Sequence, residues 1–269
     1  MTEPAERRAV RVAVLGANGR MGRAVVRLAH GAGMEIVCAL GAGDEGRDAG
    51  ELAGIGAIGI KVVSGATGGA SLAASGAQVV IDFSAPAALV AAAASCAEAG
   101  IAIVSGTTGL DDAAKSALDA ASARCAVLWE PNMSVGVHVL ASLVAKAMEA
   151  LGPAFDVEVV EVHHRAKVDA PSGTAIRLGD VVKNALPSGR YVHGREGRPG
   201  PRKPEEVGMH AVRGGDVIGD HTVFFFGDGE RIELTHRASN RDLFAHGAVR
   251  AAGWIAGRAP GRYQLADML

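Results

Sequence analysis

Residues 10–22 read VRVAVLGANGRMG, a Val-rich apolar run that breaks into glycines at 16, 19 and 22 and continues as the helix-like RAVVRLAHGAG. Strand, glycine turn and helix in that order open a βαβ unit, and MEIVCALG (34–41) supplies its second strand. Gly16 permits the tight turn, Gly19 lets the backbone approach a pyrophosphate, and Gly22 allows close helix–strand contact. The helix start adds unpaired N–H groups and a partial positive charge, and Arg20 is placed to add a phosphate contact. A tight turn that binds nothing is the plainer alternative.

The same alternation continues. QVVIDFS (78–84) reads as a buried strand, PAALVAAAASCAEAG (86–100) as a helix, and IAIVSGTTG (101–109) as a strand with a turn. LDDAAKSALDAASARC (110–125) is a further helix, and Ala126 to Pro131 one more strand. This rhythm predicts a doubly wound parallel sheet. The composition agrees: hydrophobic residues make up 49% of the chain but aromatics only 4%, so the core is built from Ala, Val, Leu and Ile, as buried parallel strands require. GTTG (106–109) would bring the Thr107 and Thr108 hydroxyls to the carboxyl edge of the sheet, although an ordinary turn explains it equally well.

Near Asn132 the rhythm changes. SVGVHVLASLVAKAMEALG (134–152) is a long amphipathic helix, after which VEVVEVHH, GMHAVRG, HTVFFFG and RIELTHRA read as strands of a more open sheet, with antiparallel pairing left open. The main boundary falls here, giving residues 1–131 and 132–240 as two domains. Residues 188–206 (SGRYVHGREGRPGPRKPEE) read as an extended surface loop with a solvated charge run.

Charge and cysteines exclude several classes. A formal net charge of -2 offers no overall attraction to nucleic acid or anionic lipid. Cys38, Cys96 and Cys125 are odd in number and widely spaced, which argues against a disulfide framework or structural zinc and suits a reducing cytoplasm. The N-terminal lead lacks the apolar core of a secretory signal, and the uncharged run Val62 to Ile81 is broken by Gly and Ser, so no membrane span is expected.

The segment EVHHRAKVDAPSGTA (161–175) concentrates the chemistry. Pro171 suits the first turn of a helix containing AIRLGDVVKNAL, so Ser172, Gly173 and Thr174 sit where free N–H groups and small hydroxyls suit a carboxylate. His164 and Lys167 add donors and positive charge just upstream, and together these form an anion pocket. A capped helix beside a polar loop is the bland alternative. A metal on the His pair is disfavoured, because adjacent residues of a strand diverge and no third ligand has an evident spacing.

E-x-HH-x-x-K-x-DAPSGTA, with GANGRMG, DFS (82–84), GTTG and PNMSVGVH (131–138), resembles the 4-hydroxy-tetrahydrodipicolinate reductase family, also called dihydrodipicolinate reductases, across essentially the whole chain. VRGGDVIGDHTV (212–223) and ELTHRASNR (233–241) extend the likeness. The resemblance implies a Rossmann-like N-terminal domain, an α+β domain that binds substrate and forms a homotetramer, and a C-terminal segment, 241–269, that returns to the first domain. It implies NADH or NADPH as coenzyme and a small dicarboxylate as substrate, with hydride delivered to C4 and a proton from His163. His163 is then the catalytic acid and Lys167 a proton donor or substrate ligand, while His164, Ser172, Gly173 and Thr174 bind the substrate carboxylates. Gly16, Ala17, Asn18, Gly19, Arg20, Met21, Gly106, Thr107, Thr108, Glu130, Pro131, Asn132 and Met133 touch the dinucleotide.

The chain departs from that pattern at the end of the second strand. Gly41 and Ala42 stand where an acidic residue would bind a ribose hydroxyl or a basic one a 2′-phosphate, with Asp44, Glu45 and Arg47 as nearby substitutes. Use of either coenzyme therefore stays open. Two rivals remain: an aspartate-type amino-acid dehydrogenase, and a non-catalytic dinucleotide sensor.

Overall fold

The computed structural model describes residues 9–65 and 68–269. The first eight residues of the N-terminal lead, and residues 66–67 of the uncharged run, lie outside the described residues.

Six strands occupy the first half: β1 (Arg11–Leu15), β2 (Glu35–Gly41), β3 (Val62–Ser64), β4 (Val79–Asp82), β5 (Ala102–Ser105) and β6 (Ala126–Trp129). Between them run α1 (Arg20–Gly31), α2 (Ala49–Ala53), α3 (Gly69–Ala74), α4 (Pro86–Ala99) and α5 (Asp112–Ser122). There follow α6 (Val135–Leu151), β7 (Asp156–His163), α7 (Gly173–Ala185), β8 (Arg190–His193), β9 (Glu206–Arg213), β10 (Asp220–Gly227) and β11 (Glu230–Arg237), and the chain ends with α8 (Asp242–Ile255) and β12 (Gly261–Tyr263). It divides into two compact units, residues up to Met133 with Asp242–Leu269, and Ser134–Arg241.

The first unit is a seven-stranded parallel sheet in the order β12-β6-β5-β4-β1-β2-β3. Its central strands are apolar up to their carboxyl ends because both faces are covered, and all four residues of β4 and of β5 are buried, polar Asp82 and Ser105 closing the two strands. The connections leave β1 in one direction towards β2 and in the other towards β4, which makes the carboxyl ends of β1 and β4 the switch point where such sheets take ligands. C-terminal α8 packs on α1, β4 and β5. Gly247 permits this, since a Cβ there would overlap the Met133 carbonyl oxygen.

Three short elements, α2, β3 and α3, have no counterpart in the pattern reading. Asp48 holds the first of them: its buried carboxylate caps α2 through the Gly50 and Glu51 N–H groups and also accepts from Ile58 and Gly59. Strand β6 stops at Trp129, short of Pro131.

The second unit is a mixed five-stranded sheet, β11-β10-β7-β9-β8. β7, β8 and β9 run parallel, while β10 pairs antiparallel with both β7 and β11. Helices α6 and α7 cover one face, where Leu140, Val144, Leu178 and Val182 meet Val159, Met209, Val223 and Phe225. Fully burying a side chain such as Leu178 or Phe225 contributes about 1.5–3 kcal/mol. Residues Val135–Ala154 are long and apolar enough to cross a membrane by length and composition; here Leu140, Val144 and Met148 of α6 pack on the sheet, while Val139 and Leu143 are exposed.

Residues 188–206 depart from the expected loop. Arg190–His193 adds β8 to the sheet edge, and two arginines of the charge run, Arg195 and Arg202, are bonded to carboxylates, while Glu196, Arg198 and Lys203 are exposed as expected. Arg195 makes a two-pronged contact with Glu158, both bonds 2.9 Å, and Arg202 reaches the same carboxylate at 3.1 Å. Burial pushes the Glu158 carboxyl up, but the bonds from Arg195, His210 and Arg202 outweigh it and leave the group at about 2.

Candidate active site

In the first unit a cleft of about 660 Å³ lies at the switch point, lined by Gly16, Asn18 and Gly19 after β1, Gly41 and Ala42 at and after β2, and Phe83 to Ala85 after β4. Gly16 has φ +81°, and a Cβ on it would come 2.7 Å from the Phe83 carbonyl oxygen. At Gly22 a Cβ would overlap the Gly16 carbonyl oxygen. Two of the three motif glycines are thus required by the turn itself. The third, Gly19, is the N-cap of α1 and presents bare backbone to the cleft. A floor of this kind, ending on the N–H groups of a twelve-residue helix, fits a pyrophosphate.

Gly41 has a local cause: a Cβ there would sit 2.5 Å from Asn18 Oδ1. The Asn18 amide fills the place of the missing side chain, donating to the Ala42 carbonyl at 2.5 Å and to Asp44 at 3.2 Å. Asp44 also pairs with Arg47 at 3.0 Å. Asp44, one of the acidic residues near the end of β2, is thus held beside Asn18.

Buried Asp82 ties the loops after β4 and β5 together. It accepts from the Ser84 N–H (3.0 Å) and from the hydroxyls of Ser84 (2.5 Å), Ser105 (2.6 Å) and Thr107 (2.6 Å). Burial pushes its carboxyl up, against those bonds. Of the sequence candidates, Thr107 is buried through this bond, Thr108 and Pro131 are exposed, and Gly106 lies against the Phe83 ring. Arg20 is exposed and Met21 half-buried at the head of α1. Ala17 and Met133 are buried, leaving only their backbone to meet a ligand, and Glu130 accepts from Leu265 N–H at 3.4 Å. Phe83 and Ser84 were quoted in the sequence only as part of the DFS motif, with no role assigned, and Ala85 was not singled out.

The second unit gathers the other candidates at the end of β7. Glu161, fully buried, accepts four hydrogen bonds: 2.5 Å with His163 Nδ1, 3.1 Å from the Ser172 N–H, and 2.7 and 2.8 Å from the two terminal nitrogens of Arg213. Burial raises its carboxyl, but the bonds from Arg213 and His163 more than offset this and hold it below the usual carboxylate range. The His163 Nδ1–H therefore donates to an anion, and Nε2 becomes the nitrogen that carries a transferable proton. Nε2 lies beside Gly219, where a Cβ would come within 2.9 Å of it.

Ser172 is the N-cap of α7, accepting from Ala175 N–H at 3.2 Å. Pro171 stands before the cap, behind a cis peptide bond, rather than in the first turn of the helix. Gly173 is exposed and Thr174 half-buried at the start of the helix. Lys167 Nζ bonds Asp169 at 2.8 Å, and His164 Nε2 lies 3.3 Å from Arg241. His221, half of a T-shaped ring pair with His163, bonds Ser172 Oγ at 3.0 Å. Glu161, Arg213 and His221 carried no role in the sequence reading. Among the described residues, no group of three or more His, Cys, Asp or Glu side chains is arranged to hold a metal ion.

A parallel sheet with a glycine-floored cleft at its switch point is the arrangement in which dinucleotide-dependent oxidoreductases bind their coenzyme. The family described as "Dihydrodipicolinate reductase, N-terminus" matches residues 10–133, and "Dihydrodipicolinate reductase, C-terminus" matches 136–269. This chain belongs to the dihydrodipicolinate reductase family. It is 51% identical to a 4-hydroxy-tetrahydrodipicolinate reductase of Anaeromyxobacter sp. (strain Fw109-5), covering 97% of each chain. It is 45% identical to one from Acinetobacter baumannii, covering 97% of this chain and 96% of that one. In fold it is similar to a dipicolinate-bound dihydrodipicolinate reductase from Paenisporosarcina sp. TG-14, with a TM-score of 0.78 at 24% identity over 97% of this chain and all of that one.

Proposed function

We propose that this protein reduces 4-hydroxy-tetrahydrodipicolinate to tetrahydrodipicolinate with NADH or NADPH. The 4-hydroxyl leaves as water together with a C3 hydrogen, and the reduced nicotinamide, when bound, supplies a hydride to C4 of the resulting unsaturated ring diacid. His163 then gives its Nε2 proton to C3, the carbon that carries the resulting enamine electrons. Glu161 keeps Nδ1 of that imidazole in donor form and compensates the imidazolium charge. Ser172, Gly173 and Thr174 bind one substrate carboxylate at the start of α7, and His164 and Lys167 supply donors to the diacid. Gly16, Asn18, Gly19 and the loops bound by Asp82 hold the dinucleotide.

The observation that carries this reading is the shared carboxylate. Glu161 bonds both the proposed acid and the backbone of the proposed anion site, so donor and acceptor sites are fixed by one group. A homotetramer is supported by the uncovered face of the second sheet, where Val160, Phe224, Phe226 and Val212 lie opposite the helix-packed residues, Phe226 and Val212 being exposed. Three buried free thiols suit a cytoplasmic setting.

The test generates the unstable substrate with its upstream synthase and follows NADH and NADPH consumption at about 340 nm, where the reduced nicotinamide absorbs. Consumption that depends on the synthase product supports the reading. Oxidation of aspartate by NAD(P) instead, or coenzyme binding with no turnover of any diacid, would overturn it.

A further inference from the structure

His221 sits against the acid but is not needed for proton transfer. It is 4% exposed, its Nε2 is 3.0 Å from Ser172 Oγ, its ring meets that of His163 at 75° with centroids 5.1 Å apart, and its Nδ1 is buried with no hydrogen-bond partner. We infer that His221 is a positioning residue for the substrate carboxylate: as the Nε2–H tautomer it donates to Ser172 Oγ and so frees the serine hydroxyl hydrogen to bond the anion at the start of α7. The inference rests on the dicarboxylate reading of this site.

The tautomer follows from the unpartnered nitrogen. Were the proton on Nδ1, a buried N–H would have no acceptor, and Ser172 would spend its own hydrogen on Nε2. With the proton on Nε2, the unpartnered atom is only an unused lone pair, which folded proteins tolerate more readily than an orphaned N–H. Ser172 Oγ then accepts twice, from His221 and from the Ala175 N–H at 3.2 Å, and both lone pairs are taken. Its hydrogen is left to donate, at the end of a thirteen-residue helix where an anion is favoured. His221 stays neutral: burial first, then the charge of neighbouring His163, hold it at about 4, with Glu161 acting the other way and His236 and Lys167 adding to the depression. The imidazole is therefore a one-hydrogen donor across the working pH range.

The experiment uses the full chain and pyridine-2,6-dicarboxylate as a stable diacid probe, with dissociation constants from calorimetry and NADH binding as the check that each variant is folded. His221→Phe keeps the ring but has no donor, and His221→Asn is too short to reach Ser172, so the two remove the bond independently. Each is expected to weaken the diacid about tenfold and to raise KM by a similar factor with kcat within about threefold, as for loss of one hydrogen bond to a charged group. His221→Gln, whose amide nitrogen reaches the Nε2 position, restores binding to within about threefold. In a Ser172→Ala background His221→Phe costs less than about twofold more, because the hydroxyl it directs is gone. Wild-type affinity in both donor-less variants, or losses that multiply in the double variant, would overturn the inference while leaving the reductase reading intact. Failure of the wild-type chain to bind the diacid while it takes NADH would remove the dicarboxylate reading and this inference together.

Discussion

Replacing Glu161 with Gln changes one oxygen to an amide in a position that takes four hydrogen bonds. The carboxylate is fully buried and takes two bonds from Arg213, one from His163 and one from the Ser172 backbone. Glutamine keeps the shape but offers one acceptor, and its NH₂ group faces a donor wherever it is placed. Removing one partner of a buried ion pair costs about 3–5 kcal/mol. Because the Arg213 side chain is 21% exposed and recovers some hydration, the lower end applies, about 3 kcal/mol. For a unit of this size that is on the order of 10 °C in Tm.

The kinetic consequence is separate. Loss of the orienting carboxylate should lower kcat by roughly 10²–10⁴-fold at neutral pH. Stopped-flow turnover, with differential scanning calorimetry on the same samples and NADH titration as a control for the first unit, measures both the stability and the rate. A variant that melts earlier but keeps the wild-type kcat would show that Glu161 is only a structural anchor, and the assignment of His163 as the imidazole it orients for catalysis would fall.

Other outcomes follow from particular contacts. Lys167→Ala should raise KM and lower kcat for the diacid; unchanged affinity for pyridine-2,6-dicarboxylate in calorimetry would remove Lys167 from the pocket. Gly22→Ala places a methyl on the Gly16 carbonyl and should weaken NADH by at least about tenfold in a fluorescence titration, whereas wild-type binding would show that the turn has room to move. Stability should depend on pH through His221, which is neutral in the fold down to about 4 but takes a proton near 6.5 when unfolded. Its contribution is complete above about pH 6.5 and is lost as pH falls towards 4, about 3 kcal/mol over that window, and His221→Gln should flatten this part of a urea-denaturation series. The Glu158 contribution, with the carboxyl held at about 2 against an ordinary 4.5, is lost in the lower window between those values and should survive in that variant.

The first sheet was legible because strands covered on both faces are apolar through their middle, and VAVL and VVI announce themselves with no knowledge of their neighbours. Short α2 and β3 were not, since five and three residues carry too little periodicity and α2 is anchored by the four bonds of Asp48. β8 was hidden inside an apparently solvated charge run in which Arg190, Arg195 and Arg202 pair with Glu206, Glu158 and Asp156. His163, Lys167 and Ser172 were visible because they lie within ten residues of one another. Glu161, Arg213 and His221 were not assigned roles because strand pairing brings them together: His221 lies opposite Glu161, and Arg213 opposite His163, across β10, β7 and β9. Gly41 was legible as a departure but not as a consequence of Asn18, which fills the same volume from 23 residues upstream.

The most direct test concerns the imidazole that Glu161 holds. His163→Gln, assayed for turnover of the synthase product and for binding of pyridine-2,6-dicarboxylate, is predicted to lose roughly 10²–10⁴-fold in kcat while affinity for the diacid changes far less. Turnover at the wild-type rate in a correctly folded His163→Gln enzyme would mean that the proton comes from elsewhere, and the chemistry assigned to the β7 strand end would be wrong.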